Sequence, residues 1–278
     1  MAKIGLAQPF LKWVGGKRQI LEEIRKYVPK RFNIYYEPFV GGGAVLFDLQ
    51  PQKAVINDVN CELINTYVVI RDAVDEVLRD LSKHQNEKEY FYTVRALDRT
   101  HMFKELTPVE RASRLIFLNR TCYNGLFRVN SQGQFNVPFG DYKNPAIVNE
   151  SVIRAVHQYL ASNDVKILYG DFVDAVASAT QGDFVYFDPP YDPLSDTASF
   201  TGYTLSGFSK TEQMRLRETM DCLTKRGCYV LLSNSATDFI KDLYSGYKMV
   251  IVEAARAINS NASKRGKIDE LLVMNYGF

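Results

Sequence analysis

Short apolar segments alternate with helical segments along much of this 278-residue chain, and this alternation restricts the folds available to it. Brief apolar runs bounded by turn signals are typical of buried strands, whereas apolar residues repeating every three or four positions indicate helices. Strands that alternate with helices favour a largely parallel, doubly wound sheet with helices on both faces. We therefore predict an α/β fold built on such a sheet.

The predicted elements lie near the two ends of the chain. The last two strands flank a polar loop and should form an antiparallel edge on the otherwise parallel sheet. Ser209 is predicted to cap a helix, and Glu212 three residues later suggests a capping box. The strands are predicted at residues 34–36, 54–58, 165–168, 184–187, 229–232, 249–252 and 271–274, and the helices at 44–49, 61–71 and 209–226.

The middle of the chain has a different character. Residues 72–161 follow helical periodicity, except that the stretch 123–143 is rich in Asn-Gly, Gln-Gly and Pro turn signals. That stretch is predicted to form a hairpin with loops, flanked by helices. Residues 72–161 are therefore predicted to be a second, mostly helical domain inserted into a main domain of residues 1–71 and 162–278.

Composition excludes several classes of protein. The chain is 46% hydrophobic and 24% charged, an ordinary globular balance, and its net charge of +2 does not by itself indicate nucleic acid. The N-terminus lacks a signal peptide, and no apolar stretch approaches the roughly 18 residues of a membrane span. Scattered cysteines indicate a reducing cytoplasm, and histidines without metal-ligand spacing indicate no metal. These residues are Cys61, Cys122, Cys222, Cys228, His84, His101 and His157.

A glycine-rich turn, Glu37-Pro38-Phe39-Val40-Gly41-Gly42-Gly43, follows the first predicted strand. Glycines there let the backbone approach a ligand closely at the carboxyl edge of a parallel sheet. Such a turn alone is equally typical of a plain tight turn. Asp58, which lies 15 residues after Gly43 at the end of the next strand, favours a ligand. A carboxylate at that place can accept hydrogen bonds from both ribose hydroxyls of an adenosine.

The segment Lys12-Trp13-Val14-Gly15-Gly16-Lys17 superficially resembles a phosphate-binding loop. It lacks the upstream glycine of the GxxxxGK pattern, and Arg18 stands where a Ser or Thr would bind magnesium. A nucleoside triphosphatase is therefore excluded. The lysine, the tryptophan and the paired glycines could instead close over a small ligand that carries a carboxylate, although a lone tryptophan is more often part of a core.

The strongest chemical signal is Asp188-Pro189-Pro190-Tyr191, directly after the apolar run 184–187. Two prolines end a strand and stiffen the backbone at the carboxyl edge of the sheet. The Asp188 carboxylate and the Pro189 carbonyl provide two acceptors, and Tyr191 provides a flat ring. Together they can hold the planar amine of a nucleobase. The two acceptors take its two N–H groups, while the tyrosine ring stacks on the nucleobase.

An exocyclic nucleobase amine needs this help because its lone pair is delocalised into the ring. Two acceptors favour a more tetrahedral nitrogen and stabilise the positive charge that develops on it. If a sulfonium donates a methyl group to this amine, the methyl group is already electrophilic. Alignment of the donor with the amine then supplies much of the remaining rate acceleration, and no metal is required. Asp188 can also take the leaving proton. Because a duplex hides the amine, the base has to be flipped into the pocket.

With these motifs in this order, nearly the whole chain resembles the Dam and DpnII type of DNA adenine methyltransferase. The family also carries a G-D-F motif, here residues 170–172, whose acid and aromatic ring are implied to lie near the cofactor's adenine. The resemblance implies S-adenosylmethionine, a Rossmann-like methyltransferase sheet and an adenine target. The implied catalytic residues are Asp188, Pro189, Pro190 and Tyr191. The implied cofactor-binding residues are Trp13, Lys17, Glu37, Phe39, Gly41, Gly43, Asp58, Asp171, Phe172 and Asp188.

The middle stretch resembles the family's DNA-reading hairpin. By this resemblance Tyr123 wedges into the base stack, Asn124 lies near the orphaned thymine, and Arg128 reads a guanine, which guanidinium geometry favours. Leu126 and Pro138 are implied to make apolar base contacts. The pattern implies GATC as the target. The residues implied to bind DNA are Lys12, Arg120, Tyr123, Asn124, Leu126, Arg128, Asn130, Asn136, Pro138 and Lys143.

The charges around these residues favour DNA independently, with one departure. Residues 111–143 carry five basic residues and one acid, and residues 256–267 carry four basic residues and no acid. The departure is Asp141, which stands where related sequences often have Arg and would repel a phosphate. Residues 192–208 are predicted to be a mobile loop that orders on DNA binding.

Three alternatives stay open. The first is cytosine N4 methylation, which also modifies an exocyclic amine. The second is a protein or RNA methyltransferase, which would not need a duplex-reading hairpin. The third is a DNA-binding protein that keeps the cofactor pocket without catalysing a reaction, which would not need an intact Asp188. We expect a monomer that binds double-stranded DNA, without membrane or metal, in the cytoplasm of a bacterium or encoded by a phage. It acts beside a companion restriction endonuclease or alone in replication, repair or regulation.

Overall fold

The computed structural model describes residues 3–13, 15–193, 208–255 and 267–277. Within these ranges seven strands form one sheet: β1 (Tyr35–Glu37), β2 (Lys53–Asp58), β3 (Asp164–Tyr169), β4 (Phe184–Phe187), β5 (Tyr229–Ser235), β6 (Lys248–Ala255) and β7 (Lys267–Met274). Their order is β3-β2-β1-β4-β5-β7-β6. Neighbouring strands from β3 to β5 are parallel, whereas β7 is antiparallel to both β5 and β6.

Helices cover both faces of this sheet. They are α1 (Leu21–Tyr27), α2 (Ala44–Leu49), α3 (Cys61–Asp72), α4 (Val74–Leu81), α5 (Lys88–Ala96), α6 (Pro108–Thr121), α7 (Glu150–Ser162), α8 (Phe172–Ala175), α9 (Lys210–Lys225) and α10 (Asp238–Leu243). Successive strand residues point to opposite faces, so Tyr35 and Tyr36 belong to different hydrophobic clusters. The first cluster includes residues of α1 to α7, and the second includes residues of α8, α9 and α10. The predicted doubly wound α/β fold is confirmed.

The strand order determines where a ligand can bind. The chain passes from β1 outward to β2 and β3, and it then returns to the other side of β1 with β4 and β5. The crevice at the carboxyl ends of β1 and β4 is therefore a topological switch point, where open parallel sheets bind ligands. The predicted antiparallel edge is confirmed, with β7 inserted between β5 and β6.

Local capping signals start two of the longest helices. Thr107 and Glu110 form a complete capping box at the start of α6, with Pro108 at the first helical position. Ser209 caps α9 by accepting a hydrogen bond from the backbone of Glu212, as predicted. The Glu212 carboxylate pairs with an arginine one turn later, so the second half of that predicted box is wrong.

The predicted hairpin lies between α6 and α7, and it is short. Val129 pairs with Phe135 and Cys122 pairs with Phe139 in two separate antiparallel bridges, without a continuous ladder. Asn124 between them has a φ of 57°, which bends the backbone away from an extended strand. The apolar residues Phe127, Phe135 and Val137 of the hairpin are buried, whereas its polar residues are exposed or half-buried.

We predict that replacing Thr107 with Ala lowers the free energy of unfolding by about 1 kcal/mol, because the substitution removes the oxygen that caps α6. Thr93→Ala in α5 is the matched control. Thr93 is an exposed helical residue whose hydroxyl donates to the carbonyl of Glu89, and Ala has the higher helix propensity. Urea denaturation followed by circular dichroism measures both variants. Equal decreases in the free energy of unfolding of the two variants would mean that the Thr107 cap does not stabilise α6.

Candidate active site

Four carboxylates line the carboxyl edge of the sheet, one for each of four neighbouring parallel strands. Glu37 ends β1 and Asp58 ends β2, while Asp171 follows β3 and Asp188 follows β4. Adjacent strands lie about 4.8 Å apart, so the row from Asp171 to Asp188 spans roughly 14 Å. This length suits an extended ligand better than a single ion.

The turn between β1 and α2 requires glycine at two positions. Gly41 and Gly43 have φ values of 47° and 72°, in the left-handed region that favours glycine. A Cβ on Gly41 would lie 2.7 Å from Cδ1 of Trp13, and one on Gly43 would lie 2.7 Å from the Tyr67 hydroxyl. The backbone N–H of Gly41 donates to Oδ2 of Asp58 at 3.0 Å, so the acid of β2 holds the turn in place.

Two of the carboxylates are almost fully removed from water. Glu37 is 2% exposed and Asp58 is 4% exposed. The Tyr35 hydroxyl donates to Oε2 of Glu37 at 2.9 Å, and the backbone of Asn60 donates to Oδ1 of Asp58 at 2.9 Å. Burial raises the pKa of Glu37 to about 8 and the pKa of Asp58 to about 6, because desolvation disfavours the charged form. A ligand that brings donors or positive charge would relieve this desolvation.

Asp188 is held by a lysine from far away in the sequence. Lys17 Nζ lies 2.8 Å from Oδ1 of Asp188 and also donates to the carbonyl of Gly15 at 2.6 Å. Ser233 Oγ on β5 donates to the same carboxylate oxygen at 2.9 Å. Burial raises the pKa of Asp188, and the Lys17 ammonium opposes that change. The sequence predicted Lys17 as a ligand-binding residue and gave no sign that it pairs with Asp188.

The rest of the tetrapeptide is fixed from two directions. The Tyr191 hydroxyl donates to Oε2 of Glu270 on β7 at 2.6 Å, and Lys17 Nζ lies 4.5 Å from the centroid of the Tyr191 ring. The Pro190 carbonyl accepts a hydrogen bond from Gln213 on α9 at 3.0 Å. The plane of the tyrosine ring and the path of the backbone are therefore both set before any substrate binds.

Sequence reasoning missed the residues that hold this tetrapeptide. Asn234 Oδ1 accepts from the backbone of Asp192 at 3.1 Å, and its amide donates to Gln213 at 3.0 Å. A usable signal was present for β5, since residues 233–235 end an apolar strand with three buried polar residues. Buried polar groups need partners, so such a run indicates a supporting network. Glu270 lies inside β7 and gives no comparable signal.

The other end of the carboxylate row is aromatic. The Phe39 and Phe172 rings stack with centroids 5.3 Å apart, and Phe208 lies edge-on to Phe39 at 5.7 Å. Asp171 caps α8 through a 2.8 Å hydrogen bond to Oδ1, and the same oxygen lies 2.5 Å from Nη2 of Arg215. The structure therefore brings together the three residues of this region that were predicted from the sequence.

The N-terminal segment joins this site to the hairpin. The Trp13 ring stacks on Phe127 with centroids 4.9 Å apart and planes 20° apart. The buried amide of Asn119 accepts from the backbone of Lys12 at 2.9 Å and donates to the carbonyls of Lys12 and Gly125 at 2.8 and 3.0 Å. Asn119 is not among the predicted site residues, although it fixes the segment that delivers Lys17 to Asp188.

The residues that the hairpin resemblance assigned to DNA are mostly exposed, and two of them contact each other. Tyr123 is 54% exposed, and Arg128 donates through Nε to Oδ1 of Asn136 at 2.7 Å. Asn130 bonds to Gln134 at 2.9 Å and so also closes the hairpin tip. The exposed members of the set are Lys12, Tyr123, Asn124, Arg128, Pro138 and Lys143, and the half-buried members are Arg120, Leu126, Asn130 and Asn136.

Three of these residues line one cationic cavity. Lys12, Arg120 and Lys143 surround a space of about 210 Å³ together with Tyr142. Lys12 Nζ lies 5.2 Å from the Tyr142 ring centroid, and Arg120 donates to the carbonyl of Phe10 at 2.6 Å. Converging positive charge of this kind favours an anion such as a phosphate.

Two of the predicted features lie outside the described residues. They are residues 194–207, which make up most of the predicted mobile loop, and residues 256–266, which hold most of the second basic cluster. Across the ranges that the structure does describe, no group of three or more His, Cys, Asp and Glu side chains could hold a metal ion. Within the same ranges, no helix is long and apolar enough to span a membrane.

This strand order, with a glycine turn after β1 and an Asp-Pro-Pro-Tyr tetrapeptide after β4, defines a Rossmann-like methyltransferase that acts on an amine. The family model described as D12 class N6 adenine-specific DNA methyltransferase matches residues 13–258. The chain belongs to this family, and it is an adenine-specific DNA methyltransferase. The match favours adenine N6 over the cytosine N4 alternative.

Similar proteins agree with this assignment. The chain is 48% identical to the Type II methyltransferase M1.LlaDCHI of Lactococcus lactis subsp. cremoris, over 99% of this chain and 97% of that protein. It is 46% identical to the Type II methyltransferase M.MjaIII of Methanocaldococcus jannaschii, over 97% of this chain and 99% of that protein. It is 35% identical to the DNA adenine methylase of Escherichia coli, over 95% of this chain and 94% of that protein.

We predict that Glu37 makes the ligand-free protein less stable as the pH rises. The folded state holds the Glu37 proton up to a pKa of about 8, well above the ordinary value of 4.5. The stabilisation is therefore complete below about pH 4.5 and is lost as the pH rises through about 8. Glu37→Gln removes this titration. The melting temperature of the variant, measured relative to that of the wild type, should therefore increase between pH 5 and pH 9. Glu89→Gln, at an exposed position on α5, is the control. Parallel melting curves for wild type and Glu37→Gln would contradict the prediction.

Proposed function

We propose that this enzyme uses S-adenosylmethionine as its methyl donor, recognises GATC in double-stranded DNA and flips the target adenine into the site at Asp188. The observation that carries the proposal is the setting of this carboxylate. Asp188 follows β4 at the switch point of the sheet, Lys17 and Ser233 hold it, and the Tyr191 ring lies beside Lys17. An acceptor and a flat ring at one place suit a planar amine.

The order of the carboxylates across the sheet suits the proposed cofactor. S-adenosylmethionine offers an adenine amine, two ribose hydroxyls and an ammonium group, all of which are hydrogen-bond donors. The neighbouring strands β3, β2 and β1 present Asp171, Asp58 and Glu37 in the same order. We assign Asp171 to the adenine, Asp58 to the ribose and Glu37 to the amino-acid end, next to Asp188.

The surroundings fit this assignment. Phe39 and Phe172 supply aromatic surface at the adenine end, and the side chains of Glu37 and Asp58 are buried carboxylates that gain from bound donors. Gly41 and Gly43 keep the turn free of side chains. When bound, S-adenosylmethionine supplies a methyl group carried on a positively charged sulfur.

The residues of the chain act on the adenine amine. Among the described residues, both hydrogen bonds to the Asp188 carboxylate go to Oδ1, from Lys17 and Ser233, so Oδ2 remains as an acceptor. The carbonyl of Pro189 takes the second N–H of the amine. The Lys17 ammonium opposes the rise that burial causes in the pKa of Asp188, and so it favours the ionised carboxylate, the stronger acceptor. Asp188 holds the proton that leaves the nitrogen as the new bond forms.

Recognition of the duplex is assigned to residues 72–161, which we propose as the target-recognition domain, with residues 1–71 and 162–278 as the catalytic domain. Tyr123 is an exposed ring at the start of the hairpin and suits a wedge that fills the space of a flipped base. Arg128 is pre-oriented by Asn136 and suits a guanine. Lys12, Arg120 and Lys143 supply positive charge for the DNA backbone.

The names of two similar proteins support a biological setting. The relatives at 48% and 46% identity are Type II methyltransferases, which favours a companion restriction endonuclease that acts on the same DNA site. We propose a monomeric enzyme that protects this site.

We predict that Asp188→Asn lowers the rate of methyl transfer about 10²- to 10³-fold, because the neutral amide is a weaker acceptor and cannot take the proton. The assay measures label from S-adenosylmethionine in two duplexes, one with GATC and one with the adenine moved out of that context, followed by nucleoside analysis. Asp174→Asn, at an exposed position on α8, is the control and should keep wild-type activity.

The outcomes of this assay separate the parts of the proposal. N6-methyladenine in the GATC duplex alone supports both the chemistry and the specificity. Label in both duplexes overturns GATC and leaves the chemistry. Wild-type protein that binds DNA and transfers no label would be the silent binding protein instead.

We predict that Arg128→Ala and Lys143→Ala weaken DNA binding in different ways. Loss of a guanine contact at Arg128 should cost about 1–3 kcal/mol and relax discrimination at one base pair. Loss of a phosphate contact at Lys143 should weaken binding to all duplexes equally. It should also reduce the slope of the logarithm of the binding constant against the logarithm of the salt concentration by about 1. Titrations of GATC and singly substituted duplexes at several salt concentrations measure both effects. Uniform weakening by Arg128→Ala would contradict its assignment.

A further inference from the structure

Arg215 on α9 contacts two residues of the adenine end of the proposed cofactor site. Its Nη2 lies 2.5 Å from Oδ1 of Asp171, and its guanidinium carbon lies 4.7 Å from the centroid of the Phe172 ring. Its Nη1 donates to Oε2 of Glu212 at 2.9 Å. A guanidinium held by two carboxylates and a ring face has a well-defined position.

The contacts of Asp171 leave one of its oxygens available. The backbone N–H of Val173 donates to Oδ1 at 2.8 Å, and Arg215 donates to the same atom. Among the described residues, both bonds to this carboxylate therefore fall on Oδ1. The carboxylate is fixed from two directions, and Oδ2 remains as the acceptor for a ligand.

The helix that carries Arg215 also holds the catalytic tetrapeptide. Gln213, two residues earlier, is buried, donates to the carbonyl of Pro190 and accepts from Asn234. The helix α9 thus contacts both ends of the carboxylate row. One rigid helix therefore contacts both Asp171, the proposed acceptor for the cofactor, and the tetrapeptide that supplies the proposed acceptors for the substrate.

We infer that Arg215 is a positioning residue that holds Asp171 so that Oδ2 accepts the amine of the cofactor's adenine. Arg215 thereby makes the site selective for an adenine amine over a carbonyl oxygen at the same ring position. This inference rests on the proposed use of S-adenosylmethionine and adds a specificity element to it. Because Arg215 bonds to Oδ1 alone, it does not compete with the ligand for Oδ2.

The exposure of the pair supports a positioning role over a purely structural one. The side chains of Arg215 and Asp171 are 39% and 35% exposed. Ion pairs this exposed add little to the stability of a fold. Orientation of a single acceptor, in contrast, directly changes which ligand atom can bind there.

The test is calorimetric binding of two ligands to the full chain: S-adenosylhomocysteine, and its inosine counterpart with a carbonyl oxygen in place of the amine. The wild type should prefer the first ligand, because a carboxylate repels the carbonyl. Arg215→Met should reduce this preference about two- to fivefold, the range of one exposed ion pair. Arg215→Lys should restore part of it. Glu218→Gln, at an exposed position on the same helix, is the control and should leave the preference unchanged.

A double substitution shows whether Arg215 acts through Asp171. In an Asp171→Asn background, Arg215→Met should have no further effect on the preference, since the acceptor that it positions is already gone. Melting temperatures of all variants confirm that they are folded. An unchanged preference in Arg215→Met, or tighter binding of S-adenosylhomocysteine, would overturn the inference and leave the proposed function intact. Wild-type protein that binds neither ligand would overturn both.

Discussion

The ion pair between Lys17 and Asp188 joins the N-terminal segment to the carboxyl edge of the central sheet. Lys17 belongs to an N-terminal segment, and Asp188 follows the central strand β4. The pair therefore links the start of the chain to the middle of the sheet. Both side chains are largely buried, and a buried charge without its partner is strongly destabilising. The path of the N-terminal segment is therefore tied to the position of the Asp188 carboxylate.

The same N-terminal segment is also held by the hairpin and by α6. Asn119 at the end of α6 makes two hydrogen bonds to Lys12 and one to Gly125, and Trp13 stacks on Phe127 of the hairpin. Only three residues separate Trp13 from Lys17, so the residue that stacks on the hairpin lies close along the chain to the partner of Asp188.

Much of the fold and half of the site follow from short stretches of sequence. The glycine turn, the acids that end β1 and β2, and the Asp-Pro-Pro-Tyr tetrapeptide are each encoded within a few residues, and the structure has each of them at the end of its strand. The supporting residues Ser233, Gln213, Glu270 and Arg215 could not be predicted in this way. Each acts on a residue more than 20 positions away, and nothing local distinguishes a supporting glutamate or arginine from a surface one.

Local sequence signals show which chemical groups are present and that each stands at a strand end, because periodicity, turn residues and prolines act locally. The order of these groups in space depends on the topology of the folded chain. Along the chain the acids run Glu37, Asp58, Asp171, Asp188, but across the sheet Asp171 comes first, followed by Asp58, Glu37 and Asp188. The reversal arises because the chain winds outward from β1 in one direction and then returns to the other side, which no local pattern records.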